Sequence, residues 1–441
     1  MDALIMAGQI TLALAILVTL HELGHFAAAR FFGIKVEKFY LFFDAWGYKL
    51  FSFKKGDTEY GIGWLPLGGY VKIAGMVDES MDSEQLKSEP QDWEFRSKPA
   101  WQRLIVMIGG VTVNFVLGIL IYICSLWYYG DSRLPVEKVK FGINAKEVGK
   151  EIGLRDGDLI TGVNGVKATY VDETKKPSIF LTDGNHYDVL RDQQTIQLPL
   201  PKNIVDRISE KKNAIFDLRL PCIIDSVEKQ SAADKAGLKK GDHIIAANDT
   251  ATTYHHEVRE HLQYYANKNI KLTYVRNGDT ASTIAKLNKD AVLGFFPQDP
   301  NEKDYVDFTY TLSQSIPLGY NRAMESLSDN IKGLKKLVSG KIDPRKSVQG
   351  PIGIATMFGG TWEWSRFWGL TGLLSLILAF MNLLPIPALD GGHVVFLIVE
   401  MIIRRPLSDK FMQVMQVIGM VILLSLMVFA FGNDILKLFN K

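Results

Sequence analysis

Four stretches of this chain are apolar and long enough to cross a bilayer, which limits the fold more than anything else in the sequence. They run from about Ala3 to Ala29, Leu104 to Tyr128, Phe367 to Leu384 and Phe411 to Phe431. A hydrocarbon layer of roughly 30 Å needs about 20 helical residues. Between the second and third stretches the composition is that of an ordinary soluble protein, so the mean hydropathy of +0.05 averages two unlike populations. The 441 residues therefore predict a membrane protein with a folded soluble insert, neither a purely soluble enzyme nor a chain that is mostly membrane. Met1 and Asp2 precede the first stretch in place of a basic segment, and no small-x-small site follows it, which argues against a cleaved signal peptide. The balance of 50 Lys+Arg against 48 Asp+Glu offers no basic field for nucleic acid. Of the two cysteines, Cys124 lies in an apolar stretch and Cys222 in the polar middle, which excludes a disulfide framework and speaks against a Cys-based metal site.

Basic residues close to the span ends set the expected orientation. Arg30, Lys35 and Lys38 follow the first span, Arg96, Lys98 and Arg103 precede the second, and Arg404, Arg405 and Lys410 lie between the third and fourth. These mark the cytoplasmic side, so the region from about Asp131 to Trp364 is expected to be exported.

The first span carries His21-Glu22-Leu23-Gly24-His25, an HExxH sequence. On a helix the two histidines lie on one face, one turn apart, and can share a zinc ion. Glu22 is rotated by about 100°, which aims it at a water on the metal and away from the metal itself. Ionisable residues in a membrane helix are costly unless paired, metal-bound or in a watery cavity. The bland alternative is a pair of interfacial histidines with a glutamate reaching to the surface. A catalytic zinc site needs a third protein ligand. His186, His243, His255, His256 and His261 fall in the exported region, on the wrong side. Asn382-Leu383-Leu384-Pro385-Ile386-Pro387-Ala388-Leu389-Asp390-Gly391-Gly392-His393 follows the third span. Alone, its DGG reads as a turn. Paired with HExxH on the same side of the bilayer, Asp390 becomes the best candidate for the third ligand, beside glycines that permit close backbone approach.

HELGH in the first span and NLLPIPALDGGH late in the chain resemble the site-2 protease family of intramembrane zinc metalloproteases, in particular its bacterial members with two exported modules. The resemblance covers essentially the whole chain. It implies one zinc ion bound by His21, His25 and Asp390, with Glu22 as general base and Asn382 helping to stabilise an oxyanion or position the substrate strand. It also implies a bacterial inner-membrane location with the active site towards the cytoplasm, and single-span membrane proteins as substrates. Those would be membrane-bound anti-sigma factors or leftover signal peptides, after a first cut outside. One departure is visible. The family's second span often carries Gly-Pro-x-x-Asn, whereas this chain reads Gly109-Gly110-Val111-Thr112-Val113-Asn114, keeping the asparagine and losing the proline.

The exported region contains an internal repeat. Gly153-Leu154-Arg155-Asp156-Gly157-Asp158-Leu159-Ile160, ending at Asn164, recurs 84 residues later as Gly237-Leu238-Lys239-Lys240-Gly241-Asp242-His243-Ile244, ending at Asn248. A GL-x-x-GD turn feeding a strand resembles the PDZ domain, and the pair resembles tandem PDZ domains. Such domains bind exported peptide or protein tails by strand addition, or serve as rigid spacers. The resemblance also suggests a size filter that admits only shortened substrates.

Glu59 to Gly75 (EYGIGWLPLGGYVKIAG) alternates, carries aromatic residues and glycine pairs, and resembles the family's membrane-associated β-hairpin. An edge strand there is a candidate site for an unwound substrate, with Gly61, Gly63 and Asn114 as candidate substrate-binding residues. Ile316 to Val338 has apolar residues at helical spacing opposite a lysine-rich face, as in an interfacial helix entering the third span or one packed on the soluble domain.

The expected fold is a multi-pass α-helical membrane protein with four transmembrane helices, a membrane-associated β-hairpin and two inserted α+β PDZ domains. The boundaries read as 1–31 (first span), 32–100 (cytoplasmic-side hairpin region), 101–129 (second span) and 130–220 and 221–305 (PDZ domains). Then follow 306–364 (amphipathic helix and connector), 365–392 (third span with the DGG motif) and 393–441 (connector and fourth span). Two rival functions remain: a catalytically silent adaptor that holds exported tails, and a metal-dependent transporter. The intact HExxH with a matching Asp speaks against the first. The lack of inverted-repeat hydropathy and the large insert speak against the second.

Overall fold

The computed structural model describes residues 2–66, 68–76, 89–211 and 214–439. Parts of the expected 32–100 and 130–220 regions, namely 67, 77–88 and 212–213, lie outside the described residues. The chain divides into two compact units, one of Met1–Gly130, Thr309–Leu334 and Val348–Lys441, the other of Asp131–Phe308 and Lys335–Ser347.

The first unit holds four helices long and apolar enough to cross a membrane. They are α1 (Asp2–Phe31), α2 (Ala100–Tyr129), α5 (Trp364–Asn382) and α7 (Asp409–Phe439), within one to eight residues of the expected ends. Between α2 and α5 come α3 (Leu312–Val338) and α4 (Pro351–Phe358). The helix expected over 316–338 thus exists, but α4 separates it from the third span. It packs on α2, where a Cβ at Gly319 would run into the backbone of Ile123. A further helix, α6 (Asp390–Ile403), occupies what the sequence presented as connector. At 14 residues it is too short to span, which is why hydropathy overlooks it.

Helices α1 and α2 meet at glycine. A Cβ at Gly24 would strike the Gly109 carbonyl, and one at Gly109 would strike that of Gly24. Small residues at such a crossing let backbones approach where no hydrophobic effect between helices is available in lipid. The glycine inside HELGH and the GG in α2 are therefore the two halves of one contact.

The expected Glu59–Gly75 hairpin is corrected. The region forms a four-stranded sheet of β1 (Val36–Leu41), β2 (Lys49–Lys55), β3 (Thr58–Gly63) and β4 (Tyr70–Ile73), in the order β2-β3-β1-β4. β3 and β4 are not neighbours, because β1 lies between them, parallel to β3 and antiparallel to β4. The hairpin is β2–β3, turned at Gly56 with φ 62°. Its outer strand exposes Leu50, Phe51 and Phe53, and the adjoining loop leaves Trp46 82 % exposed. A soluble protein seldom displays so contiguous an apolar face.

In the second unit the sequence repeat is also a repeat of topology. One sheet runs Val166–Lys167, Leu159–Val163, His186–Arg191, Gln194–Pro199; the other runs Thr250–Ala251, His243–Ala247, Asn269–Arg276, Asp279–Lys286 in the same order. Each has its own apolar core, around Tyr187 and Phe216 in the first and around Ile244 and Leu272 in the second. The GL-x-x-GD turns explain themselves. Gly157 and Gly241 take φ of 92° and 88°, which a side chain would oppose. Asp158 and Asp242 then accept the backbone N–H of Arg155 and Lys239, closing the turn.

Candidate metal centre

The buried face of α1 includes Gln9, Ala13, Leu17, His21, Gly24, His25 and Ala29, a stripe at helical spacing that carries both histidines inward. Leu23 is exposed and Glu22 half-buried between the two faces. Helix α5 ends at Asn382, and the segment Leu383–Leu389 reverses the chain so that Asp390 opens α6. This reversal is tight. Ala388 takes φ 83°, and Cβ atoms at Gly391 and Gly392 would strike the carbonyls of Leu383, Leu384 and Ile386.

These elements bring three ligand-type atoms together. His21 Nε2 lies 3.2 Å from His25 Nε2 and 3.2 Å from Asp390 Oδ2, and His25 Nε2 lies 3.4 Å from the same oxygen. A tetrahedral zinc ion with ligands at about 2.0–2.1 Å spaces them about 3.3 Å apart. The triangle has that size. Asp390 Oδ2 is buried without a hydrogen-bond partner among the described residues. His25 Nδ1 sits 2.8 Å from the Val106 carbonyl, so its proton goes there and Nε2 keeps its lone pair. The donor set fits zinc.

The cluster opens on a cavity of about 670 Å³ that Glu22, Asn114 and Asn382 also line. Asn382 Nδ2 is 3.3 Å from His21 Nε2, and Asn114 Nδ2 is 3.3 Å from His21 Nδ1. On one side the wall is Gly68, Gly69 and β4; on another it is α7, through Gln416, Met420 and Met427. β4 ends its sheet, so among the described residues one of its edges is unpaired.

The candidate substrate residues divide. Asn114 reaches the cavity, but Gly61 and Gly63 do not. They sit in β3, which is hydrogen-bonded on both edges and can accept no further strand. Their missing side chains make room for the Tyr40 ring and the Phe43 backbone. Sequence reading used Lys38 as a marker of orientation alone and passed over Asp44 and Tyr70; the three meet at the cavity wall, with Lys38 Nζ 3.0 Å and Tyr70 Oη 2.8 Å from the Asp44 carboxylate. Burial pushes the Asp44 carboxyl up, yet the hydrogen bonds from Tyr70 and Lys38 outweigh it and the net shift is downward. Burial raises Tyr70 well above the ordinary phenol, and Asp44 adds to it. No local spacing links three residues on separate segments, so no pattern announces them.

Comparison with known proteins agrees with this geometry. The chain is 29% identical over 97% of its length, and of the relative's, to a Vibrio cholerae protein designated a zinc metalloprotease. It is 29% identical to the regulator of sigma E protease of Haemophilus influenzae, over 98% of both chains. It is 27% identical to the regulator of sigma-E protease RseP of Escherichia coli, over 97% of both. Peptidase family M50 matches residues 9–426, and the chain belongs to that family, the zinc metalloproteases of the site-2 type.

Proposed function

We propose that this zinc metalloprotease cuts the membrane-spanning segments of pre-trimmed single-span proteins, using His21, His25 and Asp390 as zinc ligands, Glu22 as general base and Asn382 as an oxyanion donor. The observation that carries the reading is the 3.2–3.4 Å triangle of ligand atoms opening on the cavity that Glu22 lines. Zinc at these residues supplies Lewis acidity to water and to the scissile carbonyl. Glu22, rotated about 100° from His21 on α1, takes the proton from the attacking water and returns it to the leaving amine. The Asn382 amide donates to the carbonyl oxygen as charge develops there. The unpaired edge of β4 holds the substrate as an added strand, since a helical peptide bond is already hydrogen-bonded and shielded. The exposed aromatic face of β2 lies at the bilayer surface.

The insert is read as tandem PDZ domains on the exported side of a bacterial inner membrane, with the metal centre towards the cytoplasm. The duplicated topology supports this. So does the strand Phe295–Pro297, paired only with Ile224–Val227 among the described residues and flanked by His255, whose ring lies 5.5 Å from Phe295. A strand with one open edge beside a helix can take an exported tail. The relatives named regulators of sigma-E protease point to membrane-bound anti-sigma factors as one substrate class.

Cleavage of a truncated single-span substrate by purified protein in detergent tests the reading, with Glu22→Gln beside wild type and zinc measured in both. Cleavage by wild type alone, with zinc in both proteins, is expected. Zinc in both and cleavage by neither across a panel of such substrates would favour a silent adaptor.

A further inference from the structure

Resting on the zinc reading above, we propose that Asn114 is a positioning residue that fixes the tautomer and orientation of His21, and does not contact substrate. On α2, Val106, Gly110 and Asn114 recur every four residues, as His21 and His25 do on α1, and the two buried stripes face each other. The Val106 carbonyl holds His25 Nδ1 at 2.8 Å. A Cβ at Gly110 would collide with the His25 Nε2 and His21 Cε1 atoms, so only glycine admits both rings. Asn114 places its amide 3.3 Å from His21 Nδ1.

The chemistry at Asn114 is what points to the role. A histidine that offers Nε2 to a metal carries its proton on Nδ1, and that N–H needs an acceptor. His25 has one in Val106. Among the described residues the group facing His21 Nδ1 is Asn114, whose Nδ2 now lies towards it while its Oδ1 is buried with no hydrogen-bond partner there. A half-turn of the amide exchanges the two atoms, so the orphaned oxygen accepts the Nδ1 proton. Asn114 is 1 % exposed, and Ser375 Oγ donates to its carbonyl at 2.7 Å, which fixes the residue at this depth. The retained asparagine of the second span thus matches its role, and the lost proline at Val111 does not touch it.

The test measures zinc affinity of the full-length protein by competition with a chelating dye. It compares wild type, Asn114→Leu, Asn114→Asp and, as a control, Glu22→Gln. Asn114→Leu should weaken zinc by about 10–100-fold. Asn114→Asp should hold zinc at least as well as wild type, because a carboxylate accepts the same proton, and Glu22→Gln should match wild type. Wild-type zinc affinity in Asn114→Leu with a raised KM would overturn the proposal in favour of substrate contact. Equal loss in Asn114→Asp and Asn114→Leu would overturn it in favour of packing alone. If wild type itself bound no zinc, the metalloprotease reading would fall and this inference with it.

Discussion

Asp242 in the insert is a buried carboxylate and Asp390 in the membrane unit has a buried Oδ2, and the two are held in opposite ways. Asp242 is fully buried, with Arg276 Nε at 2.6 Å and Nη2 at 2.7 Å and the Lys239 backbone N–H at 2.8 Å. Asp158 repeats the arrangement with Arg191 and Arg155. Asp434 of α7 is closed differently, by the backbone N–H groups of Gly350, Ile352 and Gly353 at the start of α4. Asp390 faces two imidazoles instead, and its Oδ2 has no hydrogen-bond partner among the described residues. Taking an ion out of water costs several kcal/mol unless partners offset it. Where fixed partners offset it, the carboxylate is architecture. Where they do not, the fold has left a place for a cation.

The sharpest way to break this contrast is to neutralise one member of each kind. Asp390→Asn should cost zinc affinity more than the roughly 10–100-fold expected for an outer partner. Peptidase activity should fall with it, while thermal unfolding of the metal-free protein stays near wild type. Glu22→Gln should lose about 10²–10⁴-fold in kcat and keep its zinc. A metal-free Asp390→Asn protein that unfolds far earlier than metal-free wild type would class Asp390 with the structural carboxylates.

The contrast also shows what the sequence makes legible. HExxH is readable because both ligands sit on one turn of one helix, and the insert repeat because the chain writes it twice. Asp390 is readable only in company with HExxH, since DGG alone is a turn. The partners of the ligands are not readable in this way. Asn114 meets His21 across a crossing of two helices, and nothing in local spacing separates a residue that holds a ligand from one that touches substrate. The sheet order failed for the same reason. β3 and β4 are close in sequence, but the strand between them, β1, comes from before both. Helix α6 was hidden by its length.

The next largest effect belongs to the insert. Asp242→Asn should destabilise the second repeat by about 1–3 kcal/mol. That is less than a fully buried pair would lose, because Arg276 is a third exposed. Cleavage of a short substrate should be retained at temperatures where the insert stays folded. Asp158→Asn should act likewise on the first repeat, so protease nicking of each repeat reads the two changes separately. Nicking that moves both repeats equally would show that they do not fold as the two cores suggest. Smaller still, Asp434→Asn keeps one acceptor for the α4 N–H groups and should cost about 1 kcal/mol, read as a lower melting temperature of the membrane unit with zinc affinity unchanged.

The smallest effect separates the repeats by pH. Burial, aided by Arg259 and His256, pushes His255 down to about 4. The folded protein therefore keeps this imidazole neutral while the unfolded chain takes up a proton below about 6.5. Its contribution to the second repeat is complete above that pH and is lost as pH falls towards 4. His256 shifts in the same direction, mainly through burial. The Asp242 carboxyl, raised by burial but lowered more by Arg276 and the Lys239 N–H, adds a separate loss at lower pH, as the medium passes from about 3.9 through its depressed value. In the first repeat the residue matching His255, at the same step after the Tyr170 cap as His255 after Tyr254, is Val171. Hydrogen exchange followed from pH 7 to pH 4 should show the second repeat loosening while the first holds, and His255→Val should flatten the difference. Equal loosening of both repeats over that range would sink the assignment of the effect to His255, which the first repeat lacks.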